Sequence, residues 1–403
     1  AICTLVINSL AFSQSINLTL GSGGVFTLKD ASANYLTLSQ STGEVNILKN
    51  LRMENTANST TGVLFKGTER FIHNYGVGDI FIGLNSGNFT TTGGYNVAIG
   101  NNALTSITLG SENTAVGESS LNKNTTGGDN SAFGLYSLKE NTTGYGNTAI
   151  GCLSLRYNIT GISNIAVGFG AMYSNTTGST NTAVGNNSLS INTIGYNNTA
   201  MGYQSMNLNI SGYDNTAVGR RSLYSNTTGI NNASFGLNSL YTNSTGNNNT
   251  ALGYSSLYSN TVGTQNTALG SGSLLFNITG NNNTAIGLDA LNANVSGFNN
   301  TAVGNISLFN NTGNYNTALG YNAGSTITTG ANLTCLGIDA APSSPTAIDQ
   351  VTLGNIFVTS LRCNVQTITS LSDVRDKKNI KELSLGLDFI TKLHPRQFNW
   401  DKR

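Results

Sequence analysis

Charge is scarce in this 403-residue chain: Asp, Glu, Lys and Arg make up 9% of it and the formal net charge is +1. A usual soluble protein carries roughly 25%. Neither a basic face nor an acidic tail is present, so nucleic acid is excluded as a partner. Proline is almost absent, with 3 residues, which suits β ladders because proline would remove their donors. The four cysteines, Cys3, Cys152, Cys335 and Cys363, have no paired spacing, which excludes a disulfide framework or a zinc site. Only two histidines occur; His73, in Phe71-Ile72-His73-Asn74-Tyr75, is expected to pack rather than catalyse. No run is apolar enough for a membrane span, and no motif calls for a cofactor.

What the chain has in abundance is repetition. From Asp79 to Ala340 a single seventeen-residue phrase is written sixteen times, as in Asn215-Thr216-Ala217-Val218-Gly219-Arg220-Arg221-Ser222-Leu223-Tyr224-Ser225-Asn226-Thr227-Thr228-Gly229-Ile230-Asn231. Its marker glycine recurs once per phrase without a slip from Gly83 through Gly100 and Gly117 to Gly304; one residue is lost near Gly313, and Gly320 and Gly337 follow. So strict a period is the signature of stacked coils, where an insertion would shift one coil against the next.

Each column of the repeat carries its own expectation. The residue before the marker is apolar in every copy, for example Ile99, Val116, Phe133, Met201, Leu252 and Ile286, and is expected to point inward. Leu or Met stands four residues after the marker in thirteen of sixteen copies, a second inward column. Ala two before the marker and Ser or Ala three after it suggest close approach of backbones or of a neighbouring chain. The glycines that close Asn-Thr-Thr-Gly, at Gly127, Gly144, Gly178, Gly229 and Gly246, are expected to turn with positive φ. Two β-rich phrases, Asn-Thr-Ala-Val and Asn-Thr-Thr, then fill one rung of a β-solenoid or β-roll. An Asn column runs at the same period from Asn124 to Asn294 and on to Asn311, suited to amide ladders. No rung would fold alone: each buried Val or Leu gains about 1.5 to 3 kcal/mol against about 1 to 2 kcal/mol per ordered residue.

The flanks are less regular. Residues 1–14 resemble the tail of a secretory signal peptide, which implies export. Residues 15–78 alternate in short strands and suit a cap for the open end of the solenoid. Residues 341–372 form a β-rich stem, and charge appears abruptly in 373–403, with an amphipathic helix over Leu385–Leu393.

That last stretch carries the most specific likeness. Ser372-Asp373, Lys377, Asn379-Ile380, the Leu-Gly-Leu helix and Phe398-Asn399-Trp400 closely resemble the start of the intramolecular chaperone domain at the C-terminus of endosialidases, phage tail fibres and many secreted bacterial fibres. The resemblance covers 373–403 and the serine before it, an incomplete α+β domain. It implies that three chains are aligned, that the upstream β-fibre folds as a homotrimer, and that the chaperone then cuts itself off. Carried over, Ser372 is the nucleophile at the scissile Ser372–Asp373 step and Lys377 its base, which requires burial to lower the lysine pKa. The repeat is also similar to the head β-rolls of trimeric autotransporter adhesins, whose Ala-Ile-Gly phrases match Ala98-Ile99-Gly100 and Ala149-Ile150-Gly151, though their period is shorter.

The expected protein is therefore an all-β solenoid of sixteen coils in a homotrimeric fibre, extracellular or on a cell surface, acting as a structural fibre or adhesin. A phage tail fibre is the alternative, on a virion rather than a cell. A cell-surface glycan is a candidate partner, for which Arg220, Arg221, Tyr224, Tyr241 and Tyr258 are the variable slots; a plain solvated rod surface is the simpler reading of them. A polysaccharide-degrading enzyme is disfavoured because Glu112, Glu118, Asp129, Glu140, Asp214 and Asp289 occupy scattered slots and glycoside cleavage needs a matched pair of carboxylates. An ice-binding solenoid would need a flat outward Thr array; Ile159, Ile194, Ile210, Ile278 and Val295 interrupt the Thr-Thr phrase.

Overall fold

A computed structural model describes residues 25–29, 34–39, 44–47 and 53–362. Three strands, β1 (Val25–Lys29), β2 (Asn34–Ser39) and β3 (Val45–Ile47), form a small antiparallel sheet. A hairpin of β4 (Leu64–Lys66) and β5 (Glu69–His73) follows, and β5 runs antiparallel to β6 (Ile80–Ile82). From β6 onward every pairing is parallel, one short strand per coil, through β19 (Thr301–Val303), β20 (Thr317–Leu319) and β21 (Ala331–Leu336) to β22 (Ile348–Leu353). The chain is thus an all-β solenoid, with no helix among the described residues.

Register is kept at every step. Ala200 pairs with Ala217 and Met201 with Val218, each pair one repeat apart. At the lost residue the pairing simply shortens by one, Thr301 against Thr317. One strand more than the sequence repeat extends the stack: β22 pairs with β21, and Gly354 stands one full period after Gly337. Seventeen strands give sixteen steps, a rod of about 77 Å at roughly 4.8 Å per step. A second unit, Ile356–Arg403, is described only over 356–362, which holds no helix or strand.

The strand decides what is inside. Side chains alternate faces along a strand, and the inward place in Thr-Ala-Val belongs to alanine: Ala98, Ala149, Ala200 and Ala251 are fully buried. The residue before the marker glycine must then face out, and it does. Ile99 is 40% exposed, Met201 44% and Leu319 52%. This overturns the inward reading of that column. The Leu/Met column behaves as expected, with Leu121, Met172, Met206 and Leu308 fully buried. Cys335 takes the place of an alanine, opposite Ala318.

Corners are tight, but not where the closing glycines suggest. Gly229 is absent from the left-handed region, as are Gly127, Gly144, Gly178 and Gly246. They are glycine for want of room: a Cβ on Gly229 would collide with Asn226 Oδ1 and stand 2.5 Å from the Gly246 carbonyl oxygen. Positive φ falls instead on the marker, as at Gly219 (132°), and on non-glycine corners such as Arg221 (54°), Leu223 (52°) and Asn231 (56°). All thirteen core Leu/Met residues of the column are left-handed, which costs on the order of 1 kcal/mol each and is offset by about 1.5 to 3 kcal/mol of burial. The Asn-Thr-Thr phrase is not a second strand; its amides still bond coil to coil, Thr227 N to Ser244 O at 3.0 Å.

Two asparagine ladders complete the interior. In one, Nδ2 of each residue from Asn141 to Asn294 donates to Oδ1 of the Asn one coil before it, at 2.7–3.0 Å. The same Nδ2 donates to the glycine carbonyl three residues on, as from Asn226 to Gly229 at 3.0 Å. The second ladder begins at Asp79 and climbs through Asn96, Asn113 and Asn130 toward Asn316. There each Oδ1 also accepts a backbone amide from the next coil, as Asn198 does from Asn215 N at 3.1 Å. Buried amides are tolerated only when paired in this way.

Candidate functional site

Ser372 and Lys377 lie outside the described residues, as do residues 1–14 and the Leu385–Leu393 segment. The candidate surfaces that can be built from described side chains are all on the solenoid.

The outer sheet face is the most extensive. It presents the apolar column from Ile82 to Leu353 and, two residues earlier on each strand, a column made mostly of Thr and Ser. The second surface is a set of tyrosine stacks. Rings of Tyr224, Tyr241 and Tyr258 lie face to face, with centroids 5.1 Å apart and interplanar angles of 7° and 4°. Tyr196 and Tyr213 stack likewise at 4.7 Å. The coil rise sets this spacing, so the ring faces a sugar would use are largely taken up by neighbouring tyrosines. Arg221 donates from Nε to Gln204 Oε1 at 3.0 Å, and the Arg220 guanidinium sits 5.8 Å from the Tyr203 centroid.

A shallow groove of about 350 Å³ lies between Lys123, Glu140, Thr142, Tyr157, Ile159, Ser174 and Thr176. Lys123 Nζ reaches Glu140 Oε2 at 2.5 Å across it. Beside it the Arg156 guanidinium lies 5.3 Å from the Tyr136 centroid and 5.1 Å from that of Tyr157. The other acids do not join this groove. Glu112 and Asp129 stand one coil apart in an exposed corner column, Asp214 accepts from Asn197, and Asp289 accepts from Asn292. Among the described residues, no three His, Cys, Asp or Glu side chains gather to hold a metal ion.

Two buried titratable groups, His73 and Asp79, lie at the start of the solenoid, and a third, the Cys335 thiol, lies near its far end, where burial pushes its pKa up. His73 is buried, wedged 4.7 Å from Phe81 and 4.8 Å from Phe89, and its Nε2 lies 2.8 Å from the Ser86 carbonyl oxygen. Burial holds its pKa below the ordinary histidine value, so the ring is a packed, neutral donor, as expected of it. Asp79 is buried too; Oδ1 accepts Asn96 N at 2.7 Å and Oδ2 has no partner. Burial pushes its carboxyl pKa up. Sequence reasoning does not single out the Asp79 ladder, although its Asn recurs as strictly as the other. Asn-x-Thr triplets that begin on the first ladder, such as Asn124-Thr125-Thr126, place a fully buried Asn at the acceptor position, closed to glycan attachment in the folded rod, whereas triplets such as Asn248-Asn249-Thr250 begin on an exposed Asn.

No helix among the described residues is long and apolar enough to cross a membrane. No protein-family model matches the chain, and no curated protein or solved structure matches it.

Proposed function

We propose that this protein is a structural extracellular fibre or adhesin, a homotrimer of solenoid rods assembled by a C-terminal chaperone that then removes itself. The observation that carries the reading is the uninterrupted stack from β6 to β22, a shape whose use is length. The interior is filled by alanine, leucine and asparagine columns, and exposed positions away from the sheet face vary from coil to coil, as suits a shaft whose surface is free to bind. The tyrosine stacks and the Lys123–Glu140 groove are the places where a surface glycan would meet polar edges and hydroxyls rather than open ring faces.

The chaperone part of the reading rests on the Ser372-Asp373 and Lys377 spacing. Ser372 Oγ attacks the carbonyl carbon of the Ser372–Asp373 bond, Lys377 in its neutral form takes the hydroxyl proton and passes it to the departing Asp373 amine as the C–N bond breaks, and water hydrolyses the acyl–oxygen bond so formed to leave a chain ending at Ser372. Mass spectrometry of the product of the complete natural gene tests it. A chain ending at Ser372 is expected, with Ser372→Ala and Lys377→Met leaving the chain uncut. An uncut wild-type chain would overturn the self-cleavage.

A further inference from the structure

The outer face of the solenoid sheet is unusual in what it leaves bare. Its seventeen strands present one column of Ile, Val, Phe, Met and Leu, from Ile82 to Leu353, and a neighbouring column from Ile80 to Val351 that is chiefly Thr. Neither column contains a charged residue. The apolar column is not recessed: Phe133 is 41% exposed, Ile150 44% and Leu252 50%. Its exposed surface is on the order of 1,000 Å², past the few hundred Å² that a typical monomer leaves in one patch. It also matches the roughly 800 Å² each partner gives to a standard interface.

We propose that this face is where copies of the chain meet, parallel and coil for coil. The proposal deepens the fibre reading and rests on it. The occupant is identified by its pitch. The column repeats once per coil at the strand spacing, and a surface that covers it from end to end must rise by the same step and skip one residue at the same place. A second copy does both by identity, whereas a partner without the repeat would cover only a few coils. The absence of charge means that the face meets its own image without like-charge repulsion. Three rods around an axis along their length can only run parallel, which brings equal residues to equal heights: Phe133 to Phe133, Phe235 to Phe235.

Cysteine cross-linking of the full chain tests this. Native cysteines are replaced by serine, or at Cys335 by alanine. Val116→Cys and Val303→Cys sit near opposite ends of the apolar column; Thr228→Cys is an exposed control on the Asn-Thr-Thr side. With a mild oxidant, the first two are expected to form disulfide-linked dimers on a non-reducing gel when each is expressed alone, and the control is not. The double variant Val184→Lys, Val218→Lys is expected to lower the solution mass to one chain with the β-sheet circular dichroism unchanged. Cross-links at Thr228→Cys but not at the two column sites, in a multimeric wild type, would place the contact elsewhere and overturn the proposal while leaving the fibre intact. Cross-links only in mixtures of Val116→Cys and Val303→Cys would overturn the parallel register. A wild type that is one chain at every concentration would overturn both readings.

Discussion

Single residues in this molecule are chosen for one of three reasons: to fit a carbonyl, to turn a corner, or to complete a ladder. Gly229 illustrates the first, Leu223 the second and Asn226 the third, within one coil. Asp79 is the place where the scheme is imperfect. Every other described member of its ladder up to Asn316 is an asparagine whose Nδ2 donates to a glycine carbonyl fourteen residues on, or thirteen where the repeat loses a residue. Asp79 offers an unpartnered carboxylate oxygen instead. Because burial raises its folded pKa, the group favours the fold when protonated, and that contribution is lost as pH rises through the folded value. Asp79→Asn restores the donor and removes the charge. The expected result is a gain of about 1 to 3 kcal/mol at pH 7, the usual size of an unsatisfied buried group. Thermal unfolding across pH 4 to 7 checks it; the gain should shrink as pH falls toward 4, and a gain independent of pH would assign the effect to something other than ionisation.

At the level of the coil, the informative feature is the one that is short by a residue. Between Asn294 and Asn311 the first ladder breaks. Asn294 Oδ1 is buried without a partner, Asn311 Nδ2 turns to the Gly313 carbonyl, and Asn311 Oδ1 accepts from Asn316 instead. The Asn311 end of the predicted amide column therefore does not join it. Inserting one threonine between Thr312 and Gly313 restores the Asn-Thr-Thr-Gly phrase and the full period. The expected outcome is a stabilisation of about 1 kcal/mol, the net worth of a hydrogen bond plus a satisfied acceptor, read as a higher midpoint in denaturant titration. A loss of stability would mean that the following coil depends on the shorter loop.

Much of this coil is legible in the sequence, and the failures have physical reasons. Leucine four places past the marker and asparagine once per repeat can be placed because large apolar side chains and regular amides have few other homes. The column before the marker misleads because an apolar residue in every copy reads as inward. The two-residue period of a strand already assigns that place to alanine. Glycine likewise signals two different needs. At Gly219 it supplies a backbone angle as well as room for the Gly236 carbonyl, and at Gly229 it supplies room alone, which a one-letter code does not distinguish.

For the whole molecule, the solenoid buries its own ladders and leucines within a single chain, so these interior columns do not themselves call for partners. What argues for them is the outer face, an uncharged apolar column the length of the rod, together with the proposed reading of residues 372–403 as the start of a chaperone that aligns three chains. These two lines are independent, since one comes from exposed side chains and the other from a motif outside the described residues. The most direct test of the trimeric fibre is the solution mass of the mature product by light scattering, using the complete natural gene. The account predicts three copies of a chain ending at Ser372. A single uncut chain across the accessible concentration range would contradict it.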